Sequence, residues 1–170
     1  NSSGTLAFDR TDDSTYAGTI SGSGPISKVN TGTVRLTGNN TNFSDTTTIF
    51  AGTTRIGSGG TTGSLAGNIV INAGGTLAFD RSDDVTHGGL ISGAGTLAKV
   101  SGNALTLAGS NSYSGPTMLY SGTVVADHAS ALGTGDITFA SGGGNTGTIR
   151  YTTNSAGTDW ASRMKNSTGT

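Results

Sequence analysis

The chain reads as all-β, a solenoid in which short strands stack turn upon turn, and three observations carry that reading. The first is an internal copy. Gly4-Thr5-Leu6-Ala7-Phe8-Asp9-Arg10 returns as Gly75-Thr76-Leu77-Ala78-Phe79-Asp80-Arg81, and Asp12-Asp13/Asp83-Asp84, Ile20/Ile91, Lys28/Lys99 and Leu36/Leu107 keep the same offset of 71 residues. Self-similarity at a fixed period is the mark of a stacked-repeat architecture. The second is a shorter period. Gly-Thr steps open at Gly4, Gly32, Gly52, Gly75, Gly122 and Gly147, with a degenerate step at Gly102-Asn103, an average of about 24 residues per step. The third is composition: Gly and Thr lead, Ser and Asn follow, and Glu, Gln and Cys are absent. Losing Glu and Gln while keeping β-branched Thr, Val and Ile favours sheet over helix.

Taken in chain order, each element follows from apolar alternation in a short run bounded by Gly, Ser or Asn. Leu6/Phe8, Val34/Leu36, Leu77/Phe79 and Leu105/Leu107 alternate with polar or small residues and are expected to face inward. A second series lies between them: Ile20, Thr48-Ile49-Phe50, Ile69-Val70-Ile71, Ile91, Met118-Leu119-Tyr120 and Ile137-Thr138-Phe139. The segment Asp159–Lys165 comes nearest to a helical pattern and is read as another strand region. At 24 residues per turn, the 71-residue unit makes about three turns. Regular spacing of Val, Ile, Leu and Phe separates the chain from a disordered Gly/Ser linker, which has no use for apolar alternation.

Single turns of such a coil have a bare face above and below, so stability is a sum of neighbour contacts and one continuous unit is expected. Residues 1–170 are therefore read as one segment with copies at about 4–74 and 75–153, a piece of a longer array. Asn1 falls in register with Asn72, and Ser167-Thr168-Gly169-Thr170 reads as the opening of another step. A formal net charge of −1 leaves no basic footprint for nucleic acid. No stretch is long and apolar enough to span a bilayer.

One motif is more specific. Leu105-Thr106-Leu107-Ala108-Gly109-Ser110-Asn111-Ser112-Tyr113-Ser114-Gly115-Pro116-Thr117, followed by Ser121-Gly122-Thr123-Val124, resembles the autotransporter-associated β-strand repeat. The copy at Val34–Ser44 follows it less closely, with one extra residue before the aromatic and Asp45 where Gly115 stands. The resemblance covers most of residues 4–153. It implies a right-handed parallel β-helix of the kind found in the passenger regions of bacterial surface proteins, which a C-terminal barrel carries across the outer membrane.

The residues that could carry chemistry are few. Asp9, Asp12 and Asp13, repeated as Asp80, Asp83 and Asp84, form two acidic turns. Closely spaced carboxylates suit calcium, but these turns lack both an EF-hand loop and a calcium β-roll nonapeptide, and solvated pairs with Arg10 and Arg81 are the simpler reading. Two carboxyls could also serve glycoside hydrolysis, yet these recur as a repeat feature, and an active site usually appears once. His87 takes the place of Tyr16, and His128 adjoins Asp127 on alternating faces. No Gly-x-Ser-x-Gly elbow and no metal-ligand histidine spacing accompanies them, so no catalytic, cofactor-binding or metal residue is assigned. The repeated aromatics Phe8/Phe79, Phe43/Tyr113 and Phe50/Tyr120 suggest a structural ladder, or alternatively a strip for stacking on sugar.

The function expected is a structural, adhesin-like or stalk-forming passenger displayed outside the bacterial cell, without catalysis or cofactor. Two alternatives are a self-assembling fibre subunit, since strand edges template pairing, and a carbohydrate-binding or carbohydrate-cleaving β-helix. The partners implied are neighbouring repeats, copies of the chain end to end, and host or matrix glycans or proteins.

Overall fold

The structure, a computed structural model, describes residues 4–140 and 147–166. The expectations on Asn1 and on Ser167–Thr170 fall outside these residues. The fold is an all-β solenoid of about 7 turns at about 20 residues per turn. Its strands are β1 Leu6–Phe8, β2 Ser14–Tyr16, β3 Ile26–Lys28, β4 Thr33–Leu36, β5 Thr47–Ile56, β6 Ile69–Phe79, β7 Val85–His87, β8 Ile91–Gly93, β9 Thr96–Lys99, β10 Ala104–Leu107, β11 Thr117–Leu119, β12 Thr123–Ala126, β13 Ile137–Phe139, β14 Thr148–Tyr151 and β15 Met164–Asn166. Every pairing among them is parallel.

The registers resolve three faces. On the first, Leu6, Ile26, Thr47, Ile69 and Ile91 lie one above another. On the second, Ser14, Val34, Thr54, Leu77, Leu97, Thr117, Ile137 and Met164 do the same. The third carries Val85, Leu105, Val124 and Ile149. Strands β5 and β6 are long because each runs without a break around the corner from the first face to the second, β5 with a register shift between Ile49 and Ala51. In the early turns the third face is held by irregular backbone, with Ser64 N–H bonded to Gly38 C=O and Ala66 N–H to Asn40 C=O.

Two expectations change here for one reason. Ladder steps run from 19 residues (Leu105 to Val124) to 27 (Ile137 to Met164), and 20 is the commonest. The Gly-Thr starts average 24 because they migrate across faces: Gly4 precedes a first-face strand, Gly32, Gly52 and Gly75 second-face strands, and Gly102, Gly122 and Gly147 third-face strands. Likewise the 71-residue unit is not a whole number of turns. Three turns carry Leu6 through Ile26 and Thr47 to Ile69, and the remaining residues advance the copy, Leu77, onto the next face. The second copy is therefore rotated by one face against the first. Equivalent aromatics such as Phe8 and Phe79, or Phe50 and Tyr120, occupy different faces or corners and do not stack into the ladder that their repetition suggested.

The core is the inward half of each strand. Val34, Leu36, Leu77, Phe79, Leu105 and Leu107 are buried, and Leu6 and Phe8 are half-buried against the same cluster. Full burial of one such side chain is worth about 1.5–3 kcal/mol, so each turn contributes by adding two or three rungs to existing ladders. Among the described residues there is no α-helix. The Asp159–Lys165 segment, expected as strand, begins with the 3-10 turn Ala161–Arg163 and becomes strand only at Met164. No helix is long and apolar enough to cross a membrane among the described residues.

Candidate functional site

The outward residues of the second face form their own ladder: Thr15, Arg35, Arg55, Ala78, Ala98, Met118, Thr138 and Lys165, one per turn. Midway along it two alanines leave a depression. A groove of about 330 Å³ opens there, with Ala78 and Ala98 as floor, Thr53, Arg55 and Thr76 along one side and Tyr120 on the other. Tyr120 sits at the corner that follows β11 and is 43% exposed, an outlying position for a ring that burial would stabilise. Arg55 reaches Asp80 Oδ2 at 3.2 Å, so its charge is shared with a carboxylate of the next turn. An apolar floor, a ring at the rim and a guanidinium make this the surface best suited to an external contact.

The acidic turns are corners, and their carboxylates are spent on local partners. Asp9 accepts from Asn30 Nδ2 at 2.5 Å. Asp12 takes the fork of Arg10 at 2.9 and 2.5 Å, and Asp83 that of Arg81 at 2.8 and 2.7 Å. Asp13 accepts from Thr33 N–H and Arg35, and Asp84 from Ala104 N–H at 2.8 Å. The Arg10 hydrogen bond holds the Asp12 carboxyl below its ordinary pKa, Arg81 does the same for Asp83, and Thr33 N–H for Asp13. Asp80 is buried and bonded to Ser101 Oγ. The first turn stands between β1 and β2, the second between β6 and β7, so they lie at different corners and do not bring carboxylates together. Among the described residues no three His, Cys, Asp or Glu side chains gather as metal ligands would.

The histidines also serve the fold. His87 is buried, its ring 5.9 Å from Phe79, just as Tyr16 meets Phe8 at 5.5 Å in the first copy. Its Nε2 is buried with no hydrogen-bond partner, and burial lowers its pKa against a hydrogen bond to the Leu65 backbone. His128 Nδ1 accepts Ser130 N–H, while Asp127 accepts from Thr152 Oγ1 and Asn154 Nδ2. The two neighbours thus bond different partners, His128 within its own corner and Asp127 across to the next turn. Trp160, which the sequence left unread, is buried and stacks on Tyr151 at 4.9 Å.

Two features were missed by sequence reasoning. Asn40 and its copy Asn111 are buried bridges between turns. Asn111 Oδ1 accepts Ile91 N–H at 2.8 Å and its Nδ2 donates to Ala131 C=O at 2.7 Å, and Asn40 links Ile20 N–H to Ser64 C=O in the same way. Lys28 and Lys99 lie in the inward ladders, between Phe8 and Ile49 and between Phe79 and Leu119. Both are buried, and desolvation lowers both pKa values. The signal was present in the alternation of Ile26-Ser27-Lys28 and Leu97-Ala98-Lys99, which points each lysine inward if polarity is ignored.

A parallel β-coil whose described polar side chains mostly serve its own corners, with an open groove beside Tyr120 on an outer face, has the build of a repeat scaffold. Over 94 residues, 53% of its length, the chain is 50% identical to the protein "Adhesin BmaC autotransporter" of Brucella suis biovar 1 (strain 1330). The chain spans 3% of the length of that adhesin. No protein-family model and no solved structure matches it. The resemblance to autotransporter passengers read from the Leu105–Thr117 motif thus has support from both the fold and this relative.

Proposed function

We propose that the chain is a surface-displayed passenger segment of an adhesin-like protein, with no catalysis of its own. The observation that carries this reading is the unbroken stack of parallel rungs in a chain half of which is 50% identical to an autotransporter adhesin. Such a stack is a natural spacer, because each added turn lengthens it by the strand spacing of about 4.8 Å and needs only its neighbours for stability. Contact with a host or matrix glycan or protein is assigned to the Tyr120 groove, where a ring can stack and a guanidinium can hydrogen-bond.

The test has two parts. Small-angle scattering of the purified chain should give a rigid rod, and a flexible coil would overturn the spacer role. Binding of the chain to immobilised matrix proteins, glycans or host cells should fall at least about tenfold for Tyr120→Ala, the loss of one anchor residue worth about 1.4 kcal/mol, with melting unchanged. Equal binding by the variant would remove the groove from the proposal.

A further inference from the structure

The buried lysines differ in one respect that the passenger role does not use. In the second copy, Lys99 Nζ lies 3.0 Å from Asn103 Oδ1 and also donates to Ser101 C=O. The Asn103 carboxamide is held from its other end, with Nδ2 donating to the carbonyls of Asp83 and Ala104. Ser101 Oγ is bonded in turn to the buried Asp80, and the Asp80 and Asp84 carboxylates both act on the lysine. In the first copy Lys28 is equally buried, but Gly32 stands at the place of Asn103, and the amine bonds the backbone carbonyls of Asn30 and Ala51 instead of a carboxamide.

We propose that Lys99 and Asn103 join in an intramolecular isopeptide bond that staples the corner between β9 and β10. Lys99 Nζ, as free amine, attacks Asn103 Cγ. The new C–N bond forms, the Cγ–Nδ2 bond breaks, and one proton passes from Nζ to the departing nitrogen, which leaves as ammonia. Amine and carboxamide become amide plus ammonia, with no oxidant or other reactant. Three features favour the step. The amine already contacts the carboxamide, 3.0 Å from the oxygen on the carbon it attacks, and attack requires the lysine rotor to carry it from that oxygen to about 3–3.5 Å from the carbon. Its burial beneath the ladder favours the uncharged form. Asp80 is the positioning residue: it fixes Ser101, whose carbonyl aims the amine, and supplies a carboxylate toward which the ammonium proton can leave. The bond would bridge the exposed Gly102, so that a protease cut within residues 100–102 would leave the chain joined.

Intact-mass spectrometry of the purified 170-residue chain tests this without any variant. The expected mass is that of the sequence less one ammonia. Trypsin acting on the denatured chain should cut after Lys28 and fail to cut after Lys99, leaving residues 82–150 as one fragment that carries the loss. Lys99→Met and Asn103→Ala should each restore the full sequence mass, and Asp80→Asn should lower the cross-linked fraction several-fold. Full mass with cleavage after Lys99 in the unaltered chain would overturn the proposal. So would an ammonia loss that persists in Lys99→Met, since a succinimide at Asn103 would then explain it.

Discussion

Asn111 shows how much a single side chain can hold in a coil. Its carboxamide satisfies one backbone group of the turn before and one of the turn after, all out of solvent. Replacement by Ala strands both, and an unsatisfied buried polar group costs about 1–3 kcal/mol. Asn111→Ala should therefore lower stability by about 3 kcal/mol, read as earlier urea unfolding, and Asn40→Ala should behave alike. His87 gives a pH signature at the same scale. Burial lowers its folded pKa, whereas the unfolded chain takes up a proton near pH 6.5. The unfolded state then binds more protons between those two values, so stability is full above about pH 6.5 and is lost as pH falls toward the folded pKa. Melting temperature followed over this range should show the fall, and His87→Tyr, the residue of the first copy, should diminish it. An unchanged slope in the variant would assign the acid sensitivity elsewhere.

Elements meet at corners, and the corners are where composition becomes geometry. Gly95, Gly115 and Gly135 stack where the first face turns into the second. A Cβ on Gly115 would lie 2.0 Å from Gly95 O, and one on Gly135 would lie 2.1 Å from Gly115 O. Backbone on both sides cannot yield, so Gly115→Ala should cost at least about 1–3 kcal/mol, the range for overpacking. Gly60→Ala, where an added methyl meets nothing within 4 Å, should leave melting unchanged. The acidic corners behave differently because they face water. The Arg81–Asp83 pair is partly exposed at 2.7 Å, and such pairs are worth about 0–1 kcal/mol. Asp83→Asn should barely shift the melting curve, and added calcium should not raise it. A calcium-dependent gain of many degrees would instead make Asp80, Asp83 and Asp84 a metal site.

For the whole molecule, the unit of stability is the turn. Deleting residues 97–116 places Thr117 where Leu97 stood, directly above Leu77, because the register between Leu97 and Thr117 is one turn. That shortened chain should keep its β circular dichroism and melt cooperatively. Deleting only 97–106 brings the third-face residue Leu107 onto the second face and should abolish the fold. The contrast between these two deletions checks the ladder directly, since the smaller loss does the greater damage.

The fold class was legible because alternation is local: Val34/Leu36 or Leu105/Leu107 point the same way in any strand, whatever lies above them. The copy at 71 residues likewise announced a stack, and the Leu105–Thr117 motif pointed to autotransporter passengers. What the sequence could not state was the length of a turn. A repeat records which residues are equivalent, but only hydrogen-bond register records which residues are neighbours, and here the two differ by one face. That rotation separates Phe50 from Tyr120, splits the two acidic turns between corners and leaves Tyr120 beside the alanine floor. The inward lysines were hidden for a related reason. Charge alone argues for the surface, and only the packed ladder, with carbonyls at the corner to accept from the amine, makes their burial tolerable.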